Sequence, residues 1–115
     1  MGKEELQRLF CAKLSLEYIC FREEMVAKDK EEIYENSYYI DTIINIYECL
    51  LEMSQELEET MLNHLILFPQ LLIFLYHRWM KQEDSYAEEL ASCMRREITS
   101  LGKCGEDVRK EVKDI

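Results

Sequence analysis

The side chains best suited to catalysis are scarce in this sequence and poorly spaced for it. Its two histidines, His64 and His77, lie thirteen residues apart in a chain of 115. Zinc sites draw on histidines and cysteines a few residues apart, as in HxxxH or CxxC, and neither pattern occurs. No phosphate-binding loop, GxGxxG or nucleophile elbow is present either. We therefore predict no catalytic residue, no metal site and no cofactor. A small metal- or histidine-dependent hydrolase using one of these histidines is kept as a third alternative.

Five cysteines could also do chemistry, as nucleophiles or as crosslinks. Their number is odd and their positions are scattered, which indicates a reducing compartment, so we expect a cytoplasmic protein. Cys11, Cys20, Cys49 and Cys93 fall on or beside apolar helix faces, where thiols behave as small inert hydrophobes. Cys104 stands in a charged segment, where we expect an exposed thiol, either unreactive or reactive.

The most apolar run, Leu65–Tyr76, is too short to cross a membrane. Its twelve residues would span about 18 Å as a helix, against roughly 30 Å of hydrocarbon. Pro69 interrupts the run, and the charged residues 2–8 lack the apolar core of a signal peptide. We therefore expect no membrane segment, and we predict that the run is buried in a core.

Carboxylates are plentiful, and their distribution is the most informative feature of the chain. Residues 31–77 contain no lysine or arginine but nine carboxylates, which supply nine of the ten units of the formal net charge of -10. Adjacent acidic residues such as Glu58 and Glu59 point about 100° apart on a helix and mostly face solvent, so they do not indicate acid–base catalysis. A surface of one sign repels nucleic acid and attracts basic partners.

The elements that must position these side chains are all predicted to be helical. Three glycines and one proline are too few for hairpins and phosphate-binding loops, which need glycine at positive φ. Amphipathic patterns predict a compact all-α bundle of four to five helices with short connections. The expected helices cover 3–27, a segment starting at Lys30, 55–67, 69–81 and 85–101. The predicted single helical domain is 1–101, and 102–115 is expected to be a charged, mobile tail.

Individual residues predict where these helices begin and end. Pro69 suits the first turn of a helix, and Gly102 suits a C-cap. Polar side chains that can accept a hydrogen bond from a free backbone N–H mark the other starts. The expected N-caps are Asp29, Ser54 and either Asp84 or Ser85.

Apolar spacing predicts which helix faces are buried. In the first helix, apolar residues recur at three- and four-residue steps, and Leu16, Ile19 and Cys20 widen that face until it fits two helical neighbours. The second helix has a heptad-like seam. The predicted seam consists of Ile33, Ser37, Ile40, Ile44, Tyr47 and Leu51.

One surface is predicted to bind a partner. A polar stripe of Asp41, Asn45, Glu48 and Glu52 runs along one side of the second helix, and the third helix adds carboxylates that no basic residue nearby in the chain offsets. Tyrosines 34, 38 and 39 cannot all face the core, and a tyrosine ringed by carboxylates suits contact with arginine or lysine. The predicted partner-binding residues are Glu31, Glu35, Tyr38, Asp41, Glu48, Glu52, Glu56 and Glu59.

This surface admits three interpretations: a docking site for a basic protein, an imitation of DNA, or a plain solvated face. A duplex carries one charge per about 1.7 Å of axis, whereas one carboxylate per helical turn gives one per about 5–6 Å, so imitation needs two or three helices. Our leading hypothesis is a non-enzymatic module that binds a basic protein and not nucleic acid. The alternative is a structural homodimer, assembled through the seam residues Ile40, Ile44, Tyr47 and Leu51 or through Leu65–Tyr76.

Three segments resemble a known family. The stretches EEIYENSYYI (31–40), SQELEETML (54–62) and YHRWMKQEDSYAEEL (76–90) are similar to a small helical domain family of unknown function from anaerobic gut bacteria and their mobile elements. The shared features lie between residues 5 and 98. They are the Glu-Glu-Ile start with Tyr38, the step from Tyr76 to Trp79, and the pair Ser85 and Tyr86.

The resemblance implies a helical domain with no known activity. Its mobile-element setting suggests a counter-defence protein, such as an anti-CRISPR-like inhibitor of a bacterial immune nuclease. Where relatives often have Lys-Glu-Asp, this chain has Ile43, Ile44 and Asn45. We interpret that departure as a partner interface that relatives lack.

Overall fold

Six α-helices make up most of the chain that the structure describes. A computed structural model gives the backbone of residues 2–81 and 89–113, and the side chains of residues 2–81 and 89–101. The helices are α1 (Lys3–Val26), α2 (Lys30–Glu35), α3 (Ser37–Met53), α4 (Glu59–Ile66), α5 (Leu71–Met80) and α6 (Leu90–Lys113). No strand occurs within these ranges. The predicted all-α bundle is confirmed, and its helices number six because the second predicted helix is divided in two.

That second helix begins where expected and then breaks at Asn36. The Asp29 carboxylate accepts a hydrogen bond from the backbone N–H of Glu32 at 2.9 Å, which confirms its role as N-cap. Asn36 departs from helical geometry, with φ -96° and ψ 13°. Its side-chain amide donates to the carbonyl oxygen of Glu32 at 2.7 Å. This local bond competes with the helical hydrogen bonds and separates α2 from α3.

The core is one cluster of mainly aliphatic side chains, to which α2 contributes no buried residue. Helix α3 contacts α1, α5 and α6, while α4 packs against α1 and α6. Burying a Leu, Ile, Phe or Met side chain stabilises a fold by roughly 1.5–3 kcal/mol. The largest fully buried side chains are Phe10, Leu14, Ile43, Ile46, Leu50, Leu62, Leu65, Leu71, Leu72, Leu75, Met94 and Ile98.

The apolar run Leu65–Tyr76 is part of this core, as predicted. It divides between α4 and α5 and supplies several of the fully buried leucines. In the described ranges no single helix is both long and apolar enough to cross a bilayer. Helices α4 and α5 reach that composition only as a pair, and they meet at 95°.

Helix α3 buries a different seam from the predicted one. The predicted residues on this helix, from Ile40 to Leu51, are half-buried along its edge. The prediction was wrong because α3 is apolar over more than half its circumference, so spacing alone allows two seams. Contact with three helices buries the other seam instead. Ile43 is fully buried, so the interpretation of Ile43, Ile44 and Asn45 as a partner interface is wrong for Ile43. The core-facing seam consists of Tyr39, Ile43, Ile46, Leu50 and Met53.

The starts of α4 and α5 also differ from prediction. Ser54 is the C-cap of α3 and not an N-cap, and its hydroxyl donates to the carbonyl oxygen of Leu51 at 2.6 Å. Helix α4 follows Glu58 instead. Pro69 precedes α5 without starting it, because Gln70 adopts the left-handed conformation (φ 51°, ψ 48°), which a right-handed helix cannot include.

Helix α6 continues past its predicted end. Gly102 lies inside the helix, which runs to Lys113, so the predicted C-cap is wrong. The predicted domain boundary between residues 101 and 102 stays a prediction. A glycine in a helix interior costs about 1 kcal/mol relative to alanine, which a long helix can absorb. The expected caps Asp84 and Ser85 and the side chain of Cys104 lie outside the described residues.

Helix α1 leaves one apolar side uncovered by the described chain. Leu16, Ile19 and Cys20, predicted to widen the buried face, are exposed, and so is Leu9. Helices α3, α4 and α5 pack against α1 from the opposite side. That prediction is therefore wrong for this part of the helix. The buried residues of α1 are Leu6, Phe10, Leu14, Phe21 and Met25.

Candidate partner-binding surface

The outer face of α3 carries a continuous polar stripe. Asp41, Asn45, Glu48 and Glu52, called the acidic stripe below, follow one another at steps of four, three and four residues, so they share one side of the helix. All four are exposed, and the opposite side of α3 faces the core. At 1.5 Å per residue the stripe is about 16 Å long. The predicted stripe is therefore confirmed as an exposed surface.

The carboxylates of the acidic stripe have no ion-pair partner among the described residues. Asn45 Nδ2 donates a long hydrogen bond to Asp41 Oδ2 at 3.4 Å. A few other carboxylates form ion pairs with basic side chains, while most exposed carboxylates of the described chain, like those of the stripe, form none. Those other pairs include Lys13–Glu17 and Arg78–Glu97.

An ion pair closes the C-terminal end of the stripe. Arg95 Nη1, on α6, donates to Glu56 Oε2 at 2.7 Å. This hydrogen bond lowers the pKa of the Glu56 carboxyl and raises the pKa of the guanidinium. The expectation that no cation offsets the third-helix carboxylates is therefore wrong for Glu56. Sequence reasoning missed Arg95 because it is 39 positions away and only the packing of α6 brings it close.

An aromatic pair bounds the N-terminal end. Tyr38 lies three residues before Asp41 on the same side of α3, and its hydroxyl accepts a hydrogen bond from Trp79 Nε1 at 3.0 Å. Tyr38 is 55% exposed and Tyr34 is 81% exposed, which confirms that the three clustered tyrosines do not all face the core. No sequence signal connected Trp79 to this surface, because it belongs to α5.

Cys49 lies half-buried beside the stripe. Burial raises the pKa of its thiol, and the negative charges of Glu52 and Glu48 raise that pKa further, while Arg95 lowers it. A thiol that keeps its proton is a poor nucleophile. We therefore expect Cys49 to be a poor nucleophile, with an acidity that depends on the charges of the stripe.

Three predicted partner-binding residues lie away from the stripe. Glu31 and Glu35 are exposed on α2, which the break at Asn36 separates from α3, and Glu59 is exposed at the start of α4. These three therefore form separate parts of the acidic surface. The residues that the fold aligns along α3 and its C-terminal turn are Tyr38, Asp41, Glu48, Glu52 and Glu56.

The two histidines considered for catalysis lie on different helices. His64 is half-buried on α4, and His77 is exposed on α5. Across residues 2–81 and 89–101, no group of three His, Cys, Asp or Glu side chains is placed to hold a metal ion. No disulfide joins the cysteines described there, and Cys20 is exposed where a position beside a buried face was predicted.

The two surfaces predicted for self-association are largely used within the chain. Ile40, Tyr47 and Leu51 pack partly buried against the core cluster. Most of the apolar side chains in Leu65–Tyr76 are buried or half-buried. Neither surface therefore presents a broad free apolar face.

Comparison with known proteins identifies no relative of this chain. No family model, no curated protein and no solved structure matches this chain. The resemblance to a gut-bacterial helical family thus stays a prediction, and the function has to be inferred from the geometry described above.

Proposed function

We propose that this protein is a non-enzymatic binding module whose acidic stripe occupies a basic surface on another protein. The observation that carries the proposal is three carboxylates, Asp41, Glu48 and Glu52, exposed along one helix face with no ion-pair partner among the described residues. Like charges four residues apart cost about 0.2–0.5 kcal/mol per pair, and solubility requires only mixed charges. A basic partner accounts for such segregation, because it removes the repulsion on binding.

The two ends of the stripe support contact with arginine or lysine. Tyr38 offers an exposed ring one turn from Asp41, and its hydrogen bond to Trp79 holds that ring in place. A guanidinium can stack on an aromatic face while it donates to a nearby carboxylate. At the other end, Arg95 already engages Glu56. We therefore place the centre of the interface between Tyr38 and Glu52, with Glu56 at its border.

Charge density favours docking on a basic pocket over imitation of a duplex. The stripe carries one carboxylate per about 5–6 Å, whereas a duplex carries one charge per about 1.7 Å. A nucleic-acid-binding protein is the most concrete partner class, because such proteins expose basic clefts. The family resemblance adds a mobile-element setting, in which an anti-CRISPR-like inhibitor would meet a host nuclease in the cytoplasm. Inhibition would follow from occupying the cleft that nucleic acid needs.

The test is a pull-down from host lysate with three tagged proteins, at low and at high salt, followed by mass spectrometry. Two triple variants change the net charge by the same amount. A difference in binding between them therefore reports the position of the charges and not the total charge. The stripe variant carries Asp41→Lys, Glu48→Lys and Glu52→Lys. The control variant carries Glu4→Lys, Glu23→Lys and Glu24→Lys, all at exposed positions of α1.

We expect wild type and control to retain a stoichiometric basic protein that high salt releases, and the stripe variant to lose it. Circular dichroism would verify that all three proteins are folded. Equal capture by all three proteins, or equal loss in both variants, would show that the stripe is not the binding surface. Activity assays on the captured protein would then measure inhibition directly.

A further inference from the structure

An apolar cleft, called the α2 cleft below, lies where α1, α2 and α3 meet. Its volume is about 250 Å³. The apolar side chains that line it include Phe21, Met25, Ile33, Ile40 and Ile44. Protein interiors are packed with few voids larger than a water molecule. An apolar space of this size between three helices is therefore suited to a small ligand with an apolar body.

Helix α2 borders the cleft through one half-buried side chain, Ile33. None of the six residues of α2 is buried, and a helix this short is not stable by itself. A segment with so little buried apolar surface opens locally at small cost, so a ligand can reach the cleft. An apolar group placed beside Ile33 would bury that side chain further and would hold α2 against the bundle.

Two hydrogen-bond donors line the cleft from the same side of α1. Tyr18 and Arg22 are four residues apart, so they lie one helical turn from each other. Within the described ranges, Arg22 is the one charged side chain of the lining. Neither the phenol nor the guanidinium has a hydrogen bond or ion pair with another side chain of residues 2–81 and 89–101. A carboxylate can accept hydrogen bonds from both groups at once.

A second apolar cleft, between α1 and α5, lacks this feature. Its volume is similar, about 280 Å³, and its lining includes Leu72 and Ile73. The charged residue in that lining is Glu17, which already pairs with Lys13, so the described lining offers an anion no free cation. An anion with an apolar tail is therefore expected in the α2 cleft and not in the cleft between α1 and α5.

We propose that the α2 cleft binds a carboxylate with an unbranched apolar tail of about eight carbons. The tail lies against Ile33 and Ile44, and the carboxylate accepts hydrogen bonds from Arg22 and Tyr18. The length follows from the volume, since one water or methylene group takes up about 30 Å³ and the cleft holds about eight such groups. No carboxylate of the acidic stripe lines the cleft, so this site stands independently of the proposed function.

A titration with octanoate, followed by the chemical shifts of the isoleucine methyl groups, tests the site. Salt at 0.15 M screens the long-range repulsion of an anion by the net charge of -10. We expect one site with a dissociation constant between about 0.1 and 1 mM, and the largest shifts at Ile33, Ile40 and Ile44. Octanol has the same tail without the charge and is expected to bind at least about threefold more weakly. Equal affinity for octanoate and octanol, no octanoate binding at millimolar concentration, or shifts centred on Ile73 overturns the proposal.

Two variants test the residues of the site. Arg22→Gln is expected to weaken octanoate binding about fivefold and to leave octanol binding unchanged. Arg8→Gln removes the same charge from an exposed position of α1 outside the cleft and is the matched control. Ile33→Trp fills the cleft and is expected to abolish binding of both compounds, with circular dichroism to verify that the variant is folded.

Equal weakening by Arg22→Gln and Arg8→Gln would assign the effect to total charge and overturns the proposal. Unchanged octanoate binding by a folded Ile33→Trp variant overturns it as well. The cleft could instead receive an apolar side chain of a protein partner. In that case wild type would bind no octanoate, and Ile33→Trp would lose the protein captured in the pull-down described above, which also overturns the proposal.

Discussion

The Glu17 carboxylate on α1 accepts a hydrogen bond from the backbone N–H of Leu72 at the start of α5, with 2.9 Å between Oε1 and N. Helix α5 has no side-chain cap from its own N-cap residue, Gln70. A helix start has free N–H groups and a partial positive charge, and a carboxylate satisfies both. Lys13 contacts the same carboxylate and helps to fix it. A residue 55 positions earlier thus caps α5 and ties α1 to the turn before it.

Replacing Glu17 by alanine is expected to lower the free energy of unfolding by about 1–2 kcal/mol, the usual cost of losing an N-cap. Glu17→Gln keeps an acceptor oxygen and is expected to lose less. Urea denaturation followed by far-UV circular dichroism measures the change. Glu23→Ala, at an exposed position of the same helix, is the control. Equal unfolding midpoints for Glu17→Ala and Glu23→Ala would show that the cap contributes nothing.

Replacing Gln70 by glycine is expected to stabilise the protein by roughly 0.5–1 kcal/mol. A residue with a Cβ is destabilised by about 1–2 kcal/mol in the left-handed conformation. Glycine avoids this strain but loses about 0.5–1 kcal/mol more chain entropy on folding. Gln70 is the one non-glycine residue of the described chain with positive φ. Gln55→Gly, in a turn with negative φ, controls for residue type and is expected to destabilise. If both variants destabilise equally in thermal unfolding, the backbone at Gln70 is not strained.

Some helix boundaries depend on residues close together in the chain, and others depend on tertiary packing. The start of α2 was predictable because Asp29 and Glu32 are three residues apart, and their hydrogen bond forms within one turn. The start of α5 was not predictable, because its cap comes from Glu17 on another helix. The spacing of apolar residues could not predict which seam of α3 is buried, because two apolar seams fit the helical period. Packing against the neighbouring helices determines which of them is buried.

In the candidate site, too, local features were predictable from the sequence and features that depend on tertiary packing were not. The stripe from Asp41 to Glu52 follows directly from helical periodicity, so the sequence predicted it correctly. The two groups that bound the stripe, Trp79 and Arg95, are 41 and 39 positions from their partners. Their roles depend on how α5 and α6 pack against α3, and no local pattern encodes that.

Stability is expected to fall above about pH 10, and Tyr39 is expected to contribute to the fall. Burial raises the pKa of its phenol above 10.0, and the charge of Glu24 and the neighbouring Tyr76 raise it further. Because the folded state holds this proton more tightly than the unfolded state, the stabilisation is complete below the unfolded pKa. It is lost as pH rises through the raised folded pKa. Chemical denaturation between neutral and strongly alkaline pH measures the slope.

Tyr39→Phe is expected to flatten that alkaline slope, because the group that titrates is gone while the ring that packs 4.3 Å from Tyr76 remains. Tyr34→Phe removes a hydroxyl from an exposed position and serves as the control. A slope that changes equally in both variants would assign the alkaline loss to general charge repulsion.

The alkylation rate of Cys49 is expected to depend on the negative charges of the acidic stripe. Burial, Glu52 and Glu48 raise the pKa of this thiol, while Arg95 lowers it. Only the thiolate is alkylated, so Glu48→Gln combined with Glu52→Gln is expected to speed alkylation of Cys49 roughly two- to fivefold at mildly alkaline pH. Arg95→Ala is expected to slow it. Peptide mass spectrometry after timed exposure to iodoacetamide separates Cys49 from the other cysteines.

Salt distinguishes a field effect from a change in burial at Cys49. Charges in solvent act over about 10 Å at 0.1 M salt and over about 3 Å at 1 M, so high salt should reduce the difference between wild type and the Glu48→Gln, Glu52→Gln variant, without abolishing it at a half-buried thiol. The part of the pKa shift that comes from burial should persist in both proteins. Glu4→Gln with Glu24→Gln removes the same number of charges from α1 and is expected to leave Cys49 unchanged. A rate difference that persists undiminished at 1 M salt would mean that the substitutions altered the burial of Cys49, and the stripe would then exert no measurable field at its own helix.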